Sequence, residues 1–323
     1  MSDFFNIIFS VDFGYAVLRV TTPILFAAMG ALISDKAGVI NIALEGMMLI
    51  AALTGVIVSA LAQSAGLGLL AAVIVGALVG MILAYFALNL KTDVILAAIA
   101  INLIAMGGTV FILFMVGGDK GISSSLPSKV LPRIDIPLLK SIPVVGPILS
   151  GHNILTYMAF LSVWVMYIFI YKTPLGLRIR AVGENPDAAD SVGISVRKIQ
   201  YIALTLSGAL AGFGGAYMSM GYVSWFSKNM TAGRGFIALA AEAMGGATPH
   251  GAMFTSLLFG LFDALSNSLQ TLRVPAEFIQ MIPYLATVIG LVIYAANKTE
   301  QIKRIQAQKE RQAGTKTEKG KTT

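Results

Sequence analysis

The sequence predicts an all-α integral membrane protein, a polytopic helical bundle with about nine crossings and a range of about eight to ten. Three observations predict it. Of 323 residues, 12% are charged and 56% are hydrophobic, against about 25% charged in soluble chains, and the mean hydropathy is +0.80. The apolar residues gather into runs of about 20, the length that crosses a bilayer. The polar residues gather between those runs, above all in 172–198, KTPLGLRIRAVGENPDAADSVGISVRK.

Taken in order, the expected spans are 16–33, 39–62, 67–89, 94–116, 152–171, 200–222, 251–271 and 278–296. Segment 235–247 is too short for an ordinary span, and Gly245, Gly246 and Pro249 stop it. It reads as a half-helix or a strongly tilted crossing. Irregular backbone at that depth is tolerated where it is buried in protein or lines a cavity. The opening, MSDFFNIIFSVDFG, lacks the basic start of a cleaved signal peptide.

Lys and Arg beside spans mark the cytoplasmic side. Five lie in loop 172–198 and eight follow Ala296, so that loop and the C-terminus are expected in the cytoplasm. Segment 235–247 must then cross, and the N-terminus and the proline-rich loop 117–151 lie outside. Lys120, Lys129, Arg133 and Lys140 in loop 117–151 count against this orientation. A transmembrane domain over 1–297 is thus followed by a basic tail, 298–323, which is polar, free of aromatics and in part disordered.

The net charge of +7 therefore reports topology, not nucleic-acid binding. With no cysteine and two histidines, His152 and His250, thiolate chemistry is excluded and a multi-histidine metal site is not expected. No catalytic residue, metal or cofactor is assigned. An intramembrane enzyme would need a nucleophile–base pair, and none stands out. The tail's Gly320-Lys321-Thr322 resembles the end of a phosphate loop, but Gly314 lies one residue too far away. ATP and its magnesium, if used, must bind a partner.

Residues 38–47, GVINIALEGM, can be laid over 235–244, GFIALAAEAM, with Gly38, Ile40, Ala43, Glu45 and Met47 on identical residues. Crossing in opposite directions, the two segments would mark an inverted repeat, the device that places a transport path between two halves. A carboxyl at membrane depth costs about 2.5–3.5 kcal/mol on insertion scales, so Glu45 and Glu242 call for an explanation. They line a path, or they make an interhelical hydrogen bond that fixes packing. Asn41, one turn before Glu45, is expected on the same helix face. Asn102, Asp263, Asn267 and Gln270 are further polar groups in apolar segments, the last three forming one stripe. Asn41, Glu45, Asn102, Glu242 and Asn267 are the path candidates. Gly208, Ala211, Gly212, Gly214 and Gly215 mark close helix packing. Tyr217, Tyr222, Trp225 and Phe236 could contact a base or serve as interface anchors.

Within 172–198, Asn185 is a good helix cap, Pro186 suits the first helical position and Asp187 complements the dipole. Ala188 and Ala189 continue the helix and Gly193 stops it. A helix of about two turns outside the bilayer is predicted, flanked by Arg178, Arg180, Arg197 and Lys198. Its short side chains would let a partner approach; alternatively, the loop's basic residues merely fix topology.

LGLRIRAVGENPDAADSVGISV resembles the coupling-loop motif of ATP-binding-cassette importer permeases, in the group serving branched-chain amino acids, ribose and other sugars, and nucleosides. GVINIALEGMMLIAA and GRGFIALAAEAMGGATPHGA match the same group, and GVINIALEG is closest to the nucleoside branch. The quoted motifs cover about a sixth of the chain. The resemblance implies a multi-pass bacterial cell-membrane protein with inverted halves, like type II importers. It also implies a second homologous permease, cytoplasmic ATPase subunits and an extracytoplasmic substrate-binding lipoprotein. Arg180, Gly183, Asn185, Pro186, Asp187, Ala188, Ala189 and Gly193 would couple to the ATPase, with the coupling helix running from Pro186 to about Val192. Ribose-type members carry an additional first helix that this chain does not show. The alternatives are a permease for a sugar or a branched-chain amino acid, and an ion-coupled secondary transporter using Glu45 and Glu242.

Overall fold

Helix α1 (Val11–Asp35) is the axis of the bundle, buried almost continuously from Val20 to Ser34. The computed structural model describes residues 10–137 and 145–269, with isolated positions between 285 and 296. Six more helices among the described residues are long and apolar enough to cross a membrane. They are α2 (Leu44–Ala62), α3 (Ala65–Ala84, prolonged by a π-helical turn Tyr85–Asn89), α4 (Val94–Gly117), α6 (Ile154–Lys172), α9 (Val196–Tyr217, prolonged by a π-helical turn Met218–Tyr222) and α11 (Pro249–Leu269). The short helices are α5 (Val145–Leu149), α7 (Pro174–Glu184), α8 (Pro186–Ser191) and α10 (Arg234–Met244). A two-stranded antiparallel ribbon, β1 (Arg133–Ile134) with β2 (His152–Asn153), closes one loop. The span expected over 278–296 lies largely outside the described residues, as do Gln270 and the tail 298–323.

The small residues work as expected. A Cβ at Gly76 or Gly80 on α3 would overlap the carbonyl of Gly208 or Leu204 on α9, and one at Gly215 would overlap the Met48 carbonyl on α2. Removing side chains lets the backbones approach, which is how helices associate where lipid offers no hydrophobic drive.

The loops sort onto two faces. On the first, Gly183 of α7 lies against Lys36 and Gly38, Gln200 donates to the Ala37 carbonyl and Tyr201 donates to Asn89. On the second, Tyr15 donates to the Gly151 carbonyl, Ser59 exchanges hydrogen bonds with Lys129 and Ile122 bridges to Ser227. Residues 117–137, 145–151 and the start of α1 thus share one face, and 172–198 lies on the other. Residues 223–233 leave the second face at Ser227 and descend without helix to Gly233. Helix α10 continues toward the first face, where Asp35 and Lys36 lie close enough to act on Glu242.

Two sequence expectations change. The span expected from residue 39 begins as helix at Leu44. Gly38 has φ +75°, and the Asn41 side chain accepts from the Ala43 amide at 3.0 Å, a local turn that competes with helix. Asn41 therefore does not share a helix face with Glu45. The repeated segments also differ in conformation: 38–43 is irregular, whereas 235–244 is helical.

Candidate functional site: helix starts at membrane depth and a docking face

Helix α2 starts inside the bundle with no side chain of its own as cap. Asn102 of α4 supplies one, accepting from the Gly46 amide at 2.8 Å and donating to the Ile42 carbonyl at 3.0 Å. Asn102 lies about 12 Å along α4 from Val94 at the helical rise, so this start is well below the surface. Helix α10 repeats the arrangement. Its N-cap is Gly233, at φ +79° and without a side-chain bond. Glu45 accepts from the Gly233 amide at 2.8 Å and from the Gly235 amide at 2.7 Å. The first amides of a helix have no partner within it, and at membrane depth water is not there to replace one. The carboxylate also meets the positive end of the helix dipole. Gly235 is required for the approach, because a Cβ there would lie 2.9 Å from the Glu45 carboxylate oxygen Oε2 and nearer still to its backbone.

Asn41, Glu45 and Asn102 are thus brought together around the starts of α2 and α10. Asn41 also donates to Ser207 of α9 at 2.8 Å. Glu242 is elsewhere, in the last turn of α10, 6% exposed, and its Oε1 has no hydrogen-bond partner among the described residues. Asn267 is exposed on α11, one turn from Asp263. Asp263 pairs with Arg234 at 2.8 Å, tying the start of α10 to α11. Sequence reasoning left Arg234 unpaired; its place in the motif GRGFIALAAEAM beside an acidic apolar helix was the available signal.

The four aromatics separate. Tyr217 is buried, with its hydroxyl donating to the Arg19 carbonyl at 3.0 Å. Tyr222 lies 4.2 Å beneath the Arg19 guanidinium. Trp225 and Phe236 are exposed, Phe236 by 47%.

On the first face, α8 has the predicted form. Asn185 accepts from the Ala188 amide at 3.0 Å, and Gly193, at φ +82°, follows its end. The loop contains a second helix that the sequence reading missed. Thr173 caps α7 by accepting from the Gly176 amide, with Pro174 next; this Thr-Pro start was legible. The structure divides the coupling candidates. Pro186, Asp187 and Ala188 are exposed, whereas Ala189 is 4% exposed and faces the bundle. Gly183 is packed against the Lys36 carbonyl. Arg180 is half-buried, with its guanidinium 5.1 Å from the Tyr171 ring. Val192 and Leu177, which the sequence reading overlooked, are exposed by 74% and 58%. A cavity of about 790 Å³ is lined by Lys36, Ile40, Tyr171, Leu177, Arg180 and Glu184, among others.

Residues 15–296 match the model of a family described as the branched-chain amino acid transport system / permease component. The chain is 35% identical to the nucleoside ABC transporter permease protein NupC of Lactococcus lactis, over 86% of this chain and 90% of that one. It is 37% identical to the guanosine ABC transporter permease protein NupQ of Bacillus subtilis, over 85% and 89%. A Haloferax volcanii protein named as a glucose ABC transporter permease, TsgC13, is 31% identical over 89% and 92%. No solved structure matches the chain. With the family model matched over nearly the whole helical bundle and these relatives covered almost end to end, the chain belongs to the branched-chain amino acid permease family of ABC transporters.

Proposed function

We propose that this chain is the permease subunit of an ATP-driven importer of nucleosides. The observation that carries the reading is the likeness, over more than four-fifths of its length, to two permeases named for nucleosides. The first face is cytoplasmic in this reading, as is the C-terminus, and it receives the ATPase subunits on α8. Seven Lys/Arg support that side: Lys36, Lys91, Lys172, Arg178, Arg180, Arg197 and Lys198. The second face receives the binding lipoprotein. A second permease covers the open side of α10 and α11, where exposed Asn267 would otherwise meet lipid. Asn41, Glu45 and Asn102 hold the helix starts that border the path; their hydrogen bonds are taken up by protein groups.

A sugar is the second reading, favoured by the likeness to TsgC13. One experiment tests both. The tagged chain, recovered from its native membrane in mild detergent, should bring an ATPase and a second permease. Reconstituted with its binding protein, that complex should take up labelled guanosine or uridine when given ATP. Uptake of glucose in place of nucleosides would replace the first reading with the second. Recovery of the chain alone, with subunit loss controlled by cross-linking, would remove both.

A further inference from the structure

Residues Ala232, Phe236, Leu239 and Ala243 form the open side of α10 and its lead-in; Ala232 and Phe236 are exposed, and Leu239 and Ala243 are half-buried. The neighbouring positions Gly235, Ile237, Ala238, Ala240, Ala241 and Glu242 are buried. Phe236 sits in the first turn, beside the Gly233 and Gly235 amides that hold Glu45, and so at the depth of the α2 start. This side does not suit hydrocarbon. The chain that leads into the helix is irregular, with Ala232, one residue before the N-cap Gly233, at φ +46° and exposed. Irregular backbone at membrane depth borders water or protein, not lipid.

The charge there is already balanced. The positive helix end is occupied by Glu45, and Arg234 is paired with Asp263 at 2.8 Å. Arg19 donates to the Tyr222 carbonyl at 3.1 Å and stacks on its ring. Glu242 is buried on the other side of α10. Glu45, Arg234 and Arg19 are thus already engaged, so a charged solute at the start of α10 would gain no counter-charge from them to offset its desolvation. An uncharged solute with a flat apolar face would meet an exposed phenyl ring. We propose that Phe236 is a stacking surface in the translocation path, on which the base of an uncharged nucleoside rests as it passes the start of α10. This rests on the nucleoside reading and deepens it, placing a specificity contact in the permease itself.

The test uses the intact importer in proteoliposomes, with wild type, Phe236→Trp, Phe236→Leu and Phe236→Ala compared in ATP-driven uptake of guanosine and uridine. Loss of base–aromatic stacking lowers uptake about tenfold or more in Leu and Ala, while Trp stays near wild type. Subunit recovery and nucleoside affinity of the separate binding protein should be equal in all four. Phe236→Leu matching wild type would overturn the stacking role while leaving the nucleoside reading intact. Loss of the second permease from the Ala and Leu complexes would also overturn it, making Phe236 an interface residue. A wild type that moves no nucleoside would remove the underlying reading, and this one with it.

Discussion

Glu45 offers a sharp test, because the residue is 7% exposed and both its carboxylate oxygens are engaged by α10 amides at 2.8 and 2.7 Å. Each hydrogen bond to a charged group contributes about 1.5–3 kcal/mol. Replacing Glu45 with Ala removes two and strands the Gly233 and Gly235 amides, a cost of about 3–6 kcal/mol for the start of α10. At about 1.4 kcal/mol per tenfold, that start should open about a hundredfold to ten-thousandfold more often. Glu45→Gln keeps one acceptor oxygen and turns an NH2 toward an amide donor. It should cost about half as much, or about tenfold to a hundredfold in opening. Hydrogen exchange of the complex in lipid nanodiscs reads this directly in the segment 232–240, with 200–215 of α9 as the internal reference. Faster exchange confined to 232–240, with Ala above Gln above wild type, is expected. Unchanged exchange in Glu45→Ala would refute the capping argument. A Gln variant that loses an ion-gradient dependence of uptake would instead favour ion coupling through Glu45.

Three further outcomes follow from the geometry. Ala188→Glu should leave thermal stability unchanged but weaken ATPase retention about thirtyfold, the scale of an interface hot spot near about 2 kcal/mol, whereas Ala189→Glu should lower stability by burying a charge; the reverse pattern would contradict the assigned faces. Gly183→Ala forces a methyl into the Lys36 carbonyl and should cost about 1–3 kcal/mol, measured as a lower melting midpoint of the complex, with an unshifted midpoint telling against the close approach. His152, just outside the span that begins at Ile154, stacks on Tyr15 at 4.0 Å, and burial holds its pKa below the ordinary 6.5. The folded state therefore prefers neutral His152: this contribution is complete above about pH 6.5 and is lost as pH falls through that value toward the lower folded one. Melting at pH 8 and pH 5.5 should differ less in His152→Gln than in wild type, and equal differences would exclude His152 as a source.

Much of this was legible in one dimension because lipid simplifies the rules. An apolar run of about 20 residues has few fates, so seven helices fall close to their expected bounds, and short polar runs between them must be loops. Helix α8 was readable for a local reason: Asn185, Pro186 and Gly193 each act on backbone within a few residues. Helix α7 followed the same grammar, with Thr173 and Pro174, and was missed because its start follows directly on the end of an apolar span at Lys172. The site was less legible because its contacts are distant in sequence. Glu45 meets Gly233 and Gly235 across 188 and 190 residues, and Arg234 meets Asp263 across 29.

By itself the sequence determined that this chain is a membrane protein, which apolar runs form its long helices among the described residues, and that a carboxylate at membrane depth calls for an explanation. Those conclusions rest on transfer energies and local backbone preferences, which each residue carries wherever it is placed. Only the tertiary structure decided what the partners are. The start of a helix is a set of unpaired amides without a sequence address, and any acceptor brought within about 3 Å can satisfy it. Here Asn102 and Glu45 arrive from neighbouring helices, the repeat laid over Glu45 and Glu242 separates into two different environments, and Phe236 is left facing outward.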